Sequence, residues 1–314
     1  IGFIKIQPSE FAKIATAIGL AKYLSSQDSR RSDKRKLGIS ALLFLIPMVL
    51  VTMQGDLGSA MVFCSLILVL FREGLSGKLL FFSLYVGLLF LLTLLIDQWI
   101  LFFIVAALFL ICLGLFIKNR QALIFILGFT IVSCGIIKSV DFVLNEVLRE
   151  HQRLRVMSLI NPNADPLGIG WNVMQSKIAI GSGGFMGKGF LKGTQTKFDF
   201  VPAQTTDFIF CTVGEEHGWL GGTFIMILFG AFFWRLLIIA ERQKSNFVRI
   251  YGYSVVSIIF FHFTINIAMT IGLFPVIGIP LPFFSYGGSS LWTFTMLLFI
   301  LLKLDSHRME QLEH

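Results

Sequence analysis

Four ionisable groups crowd the stretch "PAQTTDFIFCTVGEEHGWLGG", residues 202–222: Asp207, Glu215, Glu216 and His217. The run around them is strongly apolar. Ionisable groups in such a run usually face a bundle interior and mark a path for substrate or protons. Read as one helix, 207–222 sets Asp207, Cys211, Gly214, Glu215 and Gly218 along one side. Glu215 then lies ~12 Å below Asp207, at 1.5 Å of rise per residue. Asp207 follows Thr205 and Thr206 and equally suits a helix start, where a carboxylate caps free backbone amides. His217 reads as a satisfied polar contact rather than a proton carrier.

Two shorter constellations add charge. In "QPSEFAK", Glu10 and Lys13 are three apart and can pair on one helix face, either as a structural pair or as a charged wall of a substrate cavity. In "QGDLGS", Asp56 stands at the outer end of a helix, where a carboxylate meets a favourable dipole. The glycine-rich "GSGGFMGKG" (181–189) fails as a nucleotide loop: Gly181 and Gly187 are one residue too far apart, and Gly189 stands where Ser or Thr should follow Lys188. It remains a surface loop, or a cradle of amides and lysines for an anionic group on a lipid or sugar. The cysteines Cys64, Cys112, Cys134 and Cys211 are scattered without paired spacing, so no disulfide frame and no metal site is expected.

The elements that position these groups follow from composition. Of 314 residues 55% are hydrophobic and only 14% charged, against about a quarter charged in soluble domains. Several apolar runs reach membrane-spanning length and none alternates, which gives a polytopic all-α bundle and excludes a β-barrel. Candidate spans are 9–24, 38–53, 57–71, 79–96, 99–117, 122–138, 207–234, 250–272 and 287–303. Lys and Arg gather in the connections around 22–36, 72–78, 118–120, 235–249 and 303–308, whereas 54–56, 97–98 and 273–286 hold none. The positive-inside rule then places 25–36 and the tail 304–314 in the cytoplasm and the long segment 139–206 outside. The net charge of +8 belongs to those loops and does not call for nucleic acid. Within 139–206, "GWNVMQSKIAI" suits a helix lying at the interface. "FPVIGIPLPFFSYGGSS" (274–290), with three prolines and a glycine pair, cannot run as a plain span and should shape a rigid outer mouth.

Together "QPSEFAK", "QGDLGS", "HQRLRVMSLINPNADPLGIGWNVMQSKIAIGSGGFMGKGFLKGTQ", "TTDFIFCTVGEEHG" and "FPVIGIPLPFFSYGGSS" resemble the SEDS (shape, elongation, division, sporulation) family. "QSKIAIGSGG", "GKG" and "GTQ" are similar to its RodA branch more than to FtsW. The family has ten spans and "QPSE" opens its fourth, so the resemblance implies that three spans precede Ile1 in the full protein. It also implies that 97–138 adds two spans, which leaves the topology unchanged. Two departures stand out: Pro202-Ala203-Gln204-Thr205-Thr206-Asp207 replaces Pro-Glu-x-His-Thr-Asp, and Ala268 stands where Gly is usual.

The resemblance implies a peptidoglycan glycosyltransferase of cell elongation and rod shape. It would polymerise lipid II at the outer face of the bacterial cytoplasmic membrane, with a class B penicillin-binding protein and the elongation machinery as partners. An α-linked pyrophosphate donor and a β-1,4 product need one in-line displacement. Pyrophosphate leaves without a general acid, so one carboxylate base and some cationic charge are the minimum. Asp207 is the expected base. Glu10, Lys13, Asp56, Arg153, Arg155, Lys177, Lys188, Gln195, Glu215 and Ser285 are the expected substrate-binding residues. No organic cofactor is expected; Mg or Mn is one source of the positive charge and the basic loop is another. A lipid II flippase and an FtsW-like division polymerase are the competing readings.

Overall fold

A computed structural model describes residues 7–26, 34–142, 146, 169–198 and 200–307, and among them there is no strand. The chain divides into two compact units, Ile1–Ser76 with Asn172–His314, and Gly77–Trp171. Six described helices are long and apolar enough to cross a membrane: Lys36–Met53, Gln98–Phe116, Arg120–Val140, Ile209–Glu241, Asn246–Thr270 and Gly288–Ser306. Leu57–Arg72 and Leu80–Phe90 are shorter apolar stretches. The expected span 9–24 is a helix too, but it buries Ser9, Glu10 and Lys13 and falls outside that set. The expected loop 139–206 lies largely outside the described residues, as does most of the tail.

In the first unit, helix α1 (Pro8–Ser25) starts on a proline at its first turn, with Glu10 near its N-terminus and Lys22 near its C-terminus, each matched to the helix dipole. Helix α2 (Lys34–Met53) carries Pro47 in its interior. Asp56 caps α3 (Leu57–Val62) by accepting from Ser59 N at 2.9 Å. A 3-10 turn (Phe63–Leu66) then leads into α4 (Ile67–Arg72). Three helices, α5 (Gly77–Leu95), α6 (Gln98–Phe116) and α7 (Arg120–Phe142), form the second unit. There Tyr85 hydrogen-bonds Ser133 at 2.8 Å, and the Lys138 ammonium lies 5.6 Å from the Phe102 ring.

The chain returns to the first unit through α8 (Ile169–Ser182) and the single turn α9 (Thr194–Lys197). It continues into α10 (Ile209–Glu241), α11 (Asn246–Thr270) and α12 (Gly288–Ser306). Helix α11 is the axis of this unit. Nearly every turn of it is buried, and α1, α10 and α12 all pack on it. Phe229 of α10 stacks on its Phe263 with ring centroids 4.4 Å apart. Ionic clasps close one end of the bundle, with Arg72 on Glu241, Arg249 on Glu73 and Arg242 on Asp305.

Helix α10 is broken. Gly218 sits at φ 62°, ψ −157°, a conformation that a side chain would oppose. The break frees backbone groups, and the loop after α8 satisfies them. Lys188 N donates to Glu215 O at 3.0 Å and Gly189 N to Glu216 O at 2.9 Å, while Trp219 N donates to Gly184 O at 2.9 Å. The single helix expected over 207–222 is therefore corrected: it begins at Ile209 and ends at Gly218. Its face does not run unbroken from Asp207 past Glu215.

Close backbone contact also fixes α3. A Cβ on Gly58 would lie 2.2 Å from Ile277 O, on the irregular segment that follows α11. Gly58→Ala should therefore destabilise the protein by about 1–3 kcal/mol through overpacking, outweighing the gain of ~1 kcal/mol from helix propensity. Gly19, inside α1, has nothing within 4 Å of such a Cβ, and Gly19→Ala should stabilise slightly. Thermal unfolding of the two purified variants side by side checks the contrast.

Candidate active site

The segment between α11 and α12 is irregular, and its backbone is tied to the turn that precedes α10. Asn266, fully buried on α11, donates from its amide to Asp207 O at 2.8 Å and to Ile279 O at 2.7 Å. Ser285 donates its hydroxyl to Thr206 O at 2.5 Å and accepts from Leu281 N at 2.7 Å. Tyr286 N donates to Thr205 O at 2.8 Å. Three successive carbonyls, 205 to 207, are thereby clamped. Asp207 occupies this turn, before the N-cap residue Phe208 of α10. Gly278, at φ 70°, comes close to it: a Cβ there would lie 3.5 Å from Asp207 Oδ2.

Asp207 opens onto a cavity of about 580 Å³ whose walls include Gln7, Glu10, Ser59, His262 and Ser289 together with residues 278–280. Glu10 and Lys13 pair at 2.7 Å with side chains 4% and 0% exposed. The Lys13 ammonium also lies 3.0 Å from His262 Nε2. An ammonium can only donate, so Nε2 accepts, and His262 is the tautomer whose Nδ1–H donates to Pro280 O at 3.3 Å. Glu10, Lys13, His262 and the mouth segment thus form one chain of contacts. The second Glu10 oxygen, Oε2, is buried and has no hydrogen-bond partner. Asp56 acts one step back. Its Oδ2 accepts from the Gln7 amide at 2.7 Å and so sets a residue of the wall.

The other expected site residues lie elsewhere. Glu215 is fully buried, and its carboxylate takes the Lys188 ammonium at 2.7 Å, Gln195 N at 2.9 Å and Thr196 N at 2.9 Å. Of the loop 181–189 read as a surface loop or an anion cradle, Lys188 binds the Glu215 carboxylate, while the amides of Lys188 and Gly189 bind the backbone carbonyls of Glu215 and Glu216. Lys188, Gln195 and Glu215 come together, but away from the cavity lining. Lys177 is exposed on α8, against Gly272. Arg153 and Arg155 lie outside the described residues. Among the described residues no group of three or more His, Cys, Asp or Glu side chains is placed to hold a metal. His262 and Asn266 were missed from sequence. Their signal was two polar residues four apart in the apolar run "FFHFTINIAM", which share one helix face.

A family model described as "Cell cycle protein" (FtsW/RodA/SpoVE) matches residues 1–100 and 97–310. The chain belongs to the FtsW/RodA/SpoVE family. Peptidoglycan glycosyltransferase RodA of Treponema pallidum is 34% identical over 98% of this chain and 76% of its own length. Peptidoglycan glycosyltransferase MrdB of Escherichia coli K12 is 34% identical over 98% of this chain and 70% of its own. A chain solved in work on the structural coordination of polymerization and crosslinking by a peptidoglycan synthase complex superposes with a TM-score of 0.65 at 25% identity. It covers 98% of this chain and 72% of that one. The all-α, multi-pass membrane fold is the family's own.

Two outcomes test the charge clusters. Glu215→Gln removes the anion from its nest and should lower stability by roughly 2–3 kcal/mol. It should also speed limited proteolysis between residues 184 and 197, and an unchanged cleavage rate would show that the nest does not hold the loop. For the buried pair, Glu10→Gln and Lys13→Met each strand a partner, while the double variant strands neither. The double-mutant cycle in thermal stability should show a coupling above about 1 kcal/mol.

Proposed function

We propose that this chain is a peptidoglycan glycosyltransferase that polymerises lipid II into glycan strands for cell elongation, working in the bacterial cytoplasmic membrane. The family relatives bear that activity in their names. The observation that carries the assignment to a site is the clamped turn that presents Asp207 to a polar cavity. Asp207 takes the proton of the acceptor sugar's 4-hydroxyl as that oxygen bonds to the donor's anomeric carbon. The bond from that carbon to the pyrophosphate oxygen breaks, undecaprenyl pyrophosphate departs, and the anomeric centre inverts. Glu10 lines the same cavity, and Lys13, itself held by His262, pairs with its carboxylate.

No step is assigned to a metal. The described lining also contains no Lys or Arg, so we assign the charge on the departing pyrophosphate to the basic segment that includes Arg153 and Arg155. That segment, 139–206, lies on the outer face in this reading, and the residues 25–36 lie in the cytoplasm. Helix α1 corresponds to the fourth span of the family. A class B penicillin-binding protein crosslinks the product strand; the family neighbour from a synthase complex supports such a partner. A flippase would keep its charges on a path of their own, but Glu10 and His262 share a cavity with Asp207, which favours the polymerase.

The test is Asp207→Asn in full-length protein, with polymerisation and binding of lipid II measured together. Binding should persist and polymerisation fall by ~10²–10⁴-fold, the usual loss of a positioned base. A variant that polymerises normally would return Asp207 to a structural role.

A further inference from the structure

The helix break does more than re-route α10. Between His217 and Arg235 no residue of α10 is charged, and this run begins with Trp219 and ends with Trp234. The two indoles are about 22 Å apart along the axis at 1.5 Å per residue, and both are exposed. Tryptophans at the two ends of a charge-free run mark the edges of a bilayer's hydrocarbon layer, which is ~30 Å thick. Gly218 breaks α10 one residue before the first of these tryptophans. At that level the loop after α8 docks on the break and stacks Phe185 on Trp219, with centroids 5.4 Å apart and planes inclined by 13°.

The tip of that loop is unusually apolar for a loop. Phe185, Met186, Phe190 and Leu191, with Trp219 beside them, are each between 60% and 77% exposed. The backbone beneath them is fixed by the bonds from Lys188, Gly189 and Trp219 described above, and by the Lys188–Glu215 ion pair. A rigid apolar tip stays outside the protein core only if something else covers it. Lys192, exposed on the same loop, supplies positive charge for anionic headgroups beside that apolar surface.

We propose that residues 185–191 and Trp219 form an interfacial anchor that sits in the outer leaflet of the bilayer, the apolar side chains against acyl chains and Lys192 among headgroups. Three observations agree on this occupant: continuity with the lipid-facing run of α10, the tryptophan at its edge, and the adjoining lysine. The anchor would hold the base of the Asp207-bearing helix start at a set height above the lipid.

The experiment uses the full chain in phosphatidylethanolamine–phosphatidylglycerol vesicles, with Cys64, Cys112, Cys134 and Cys211 replaced by Ala. A nitroxide is attached at Met186→Cys and, in case that variant folds poorly, at Phe190→Cys. Lys197→Cys serves as the water reference and Ile227→Cys as the mid-bilayer reference. The ratio of oxygen to nickel-chelate accessibility at Met186 or Phe190 should exceed that at Lys197 several-fold and approach that at Ile227. A ratio equal to that at Lys197 overturns the anchor. A ratio that rises only when a partner transpeptidase is added also overturns it, and assigns the tip to a protein interface instead.

Discussion

Inside a bilayer no water waits to solvate a loose peptide group, so every place where this chain leaves helix must find its partners in the protein. Two such places in the first unit lie close to the functional residues. At Gly218 the loop 184–189 takes up the carbonyls and amides that the break exposes. After α11 the segment 274–287 runs irregularly, and Asn266, Ser285 and the 205–207 carbonyls bind its polar groups. Each irregular stretch is thus half of a pair. The turn bearing Asp207 belongs to the second pair.

Buried charge obeys the same demand, with two different results. Glu215 uses both oxygens, on an ammonium, two amides and the Thr194 hydroxyl. A carboxylate so fully engaged has nothing left for a ligand; its work is to hold a loop. Glu10 meets Lys13 with one oxygen only, and the other is buried without a hydrogen-bond partner. A buried acceptor left unsatisfied opposes folding by about 1–3 kcal/mol. Satisfaction of the second oxygen, rather than burial, separates Glu215 from Glu10.

Much of this was legible in the sequence, because the signals are local. Apolar run lengths place the helices, three prolines and a glycine pair announce the irregular mouth, and a three-residue spacing predicts the Glu10–Lys13 pair. What escaped depends on contacts distant in sequence. Nothing within "EEHGWLGG" says that its first glycine after the histidine breaks the helix, since the break is stable only with a loop some thirty residues earlier to receive it. The same holds for Lys188: nothing in "GSGGFMGKG" says that its ammonium pairs with Glu215 of α10. His262 was hidden by its surroundings, because its partners are an ammonium on α1 and a carbonyl beyond its own helix.

A general base has to be fixed in space yet chemically available, and these requirements conflict when the same atoms serve both. In the role proposed for Asp207, the grip on the turn falls on main-chain atoms. The bonds from Asn266, Ser285 and Tyr286 grip main-chain oxygens of 205–207, so the turn is held through atoms that every residue possesses. The backbone of this turn carries the carboxylate, and Gly278 comes close to it, since a Cβ there would lie 3.5 Å from Asp207 Oδ2. This division also explains the border position. A deeper aspartate would require a compensating charge, as Glu10 and Glu215 do, and would lose basicity to it. A fully solvated one would lack the second irregular segment that aims it. Only where the helix start meets the mouth can the backbone be clamped while the side chain faces a polar cavity.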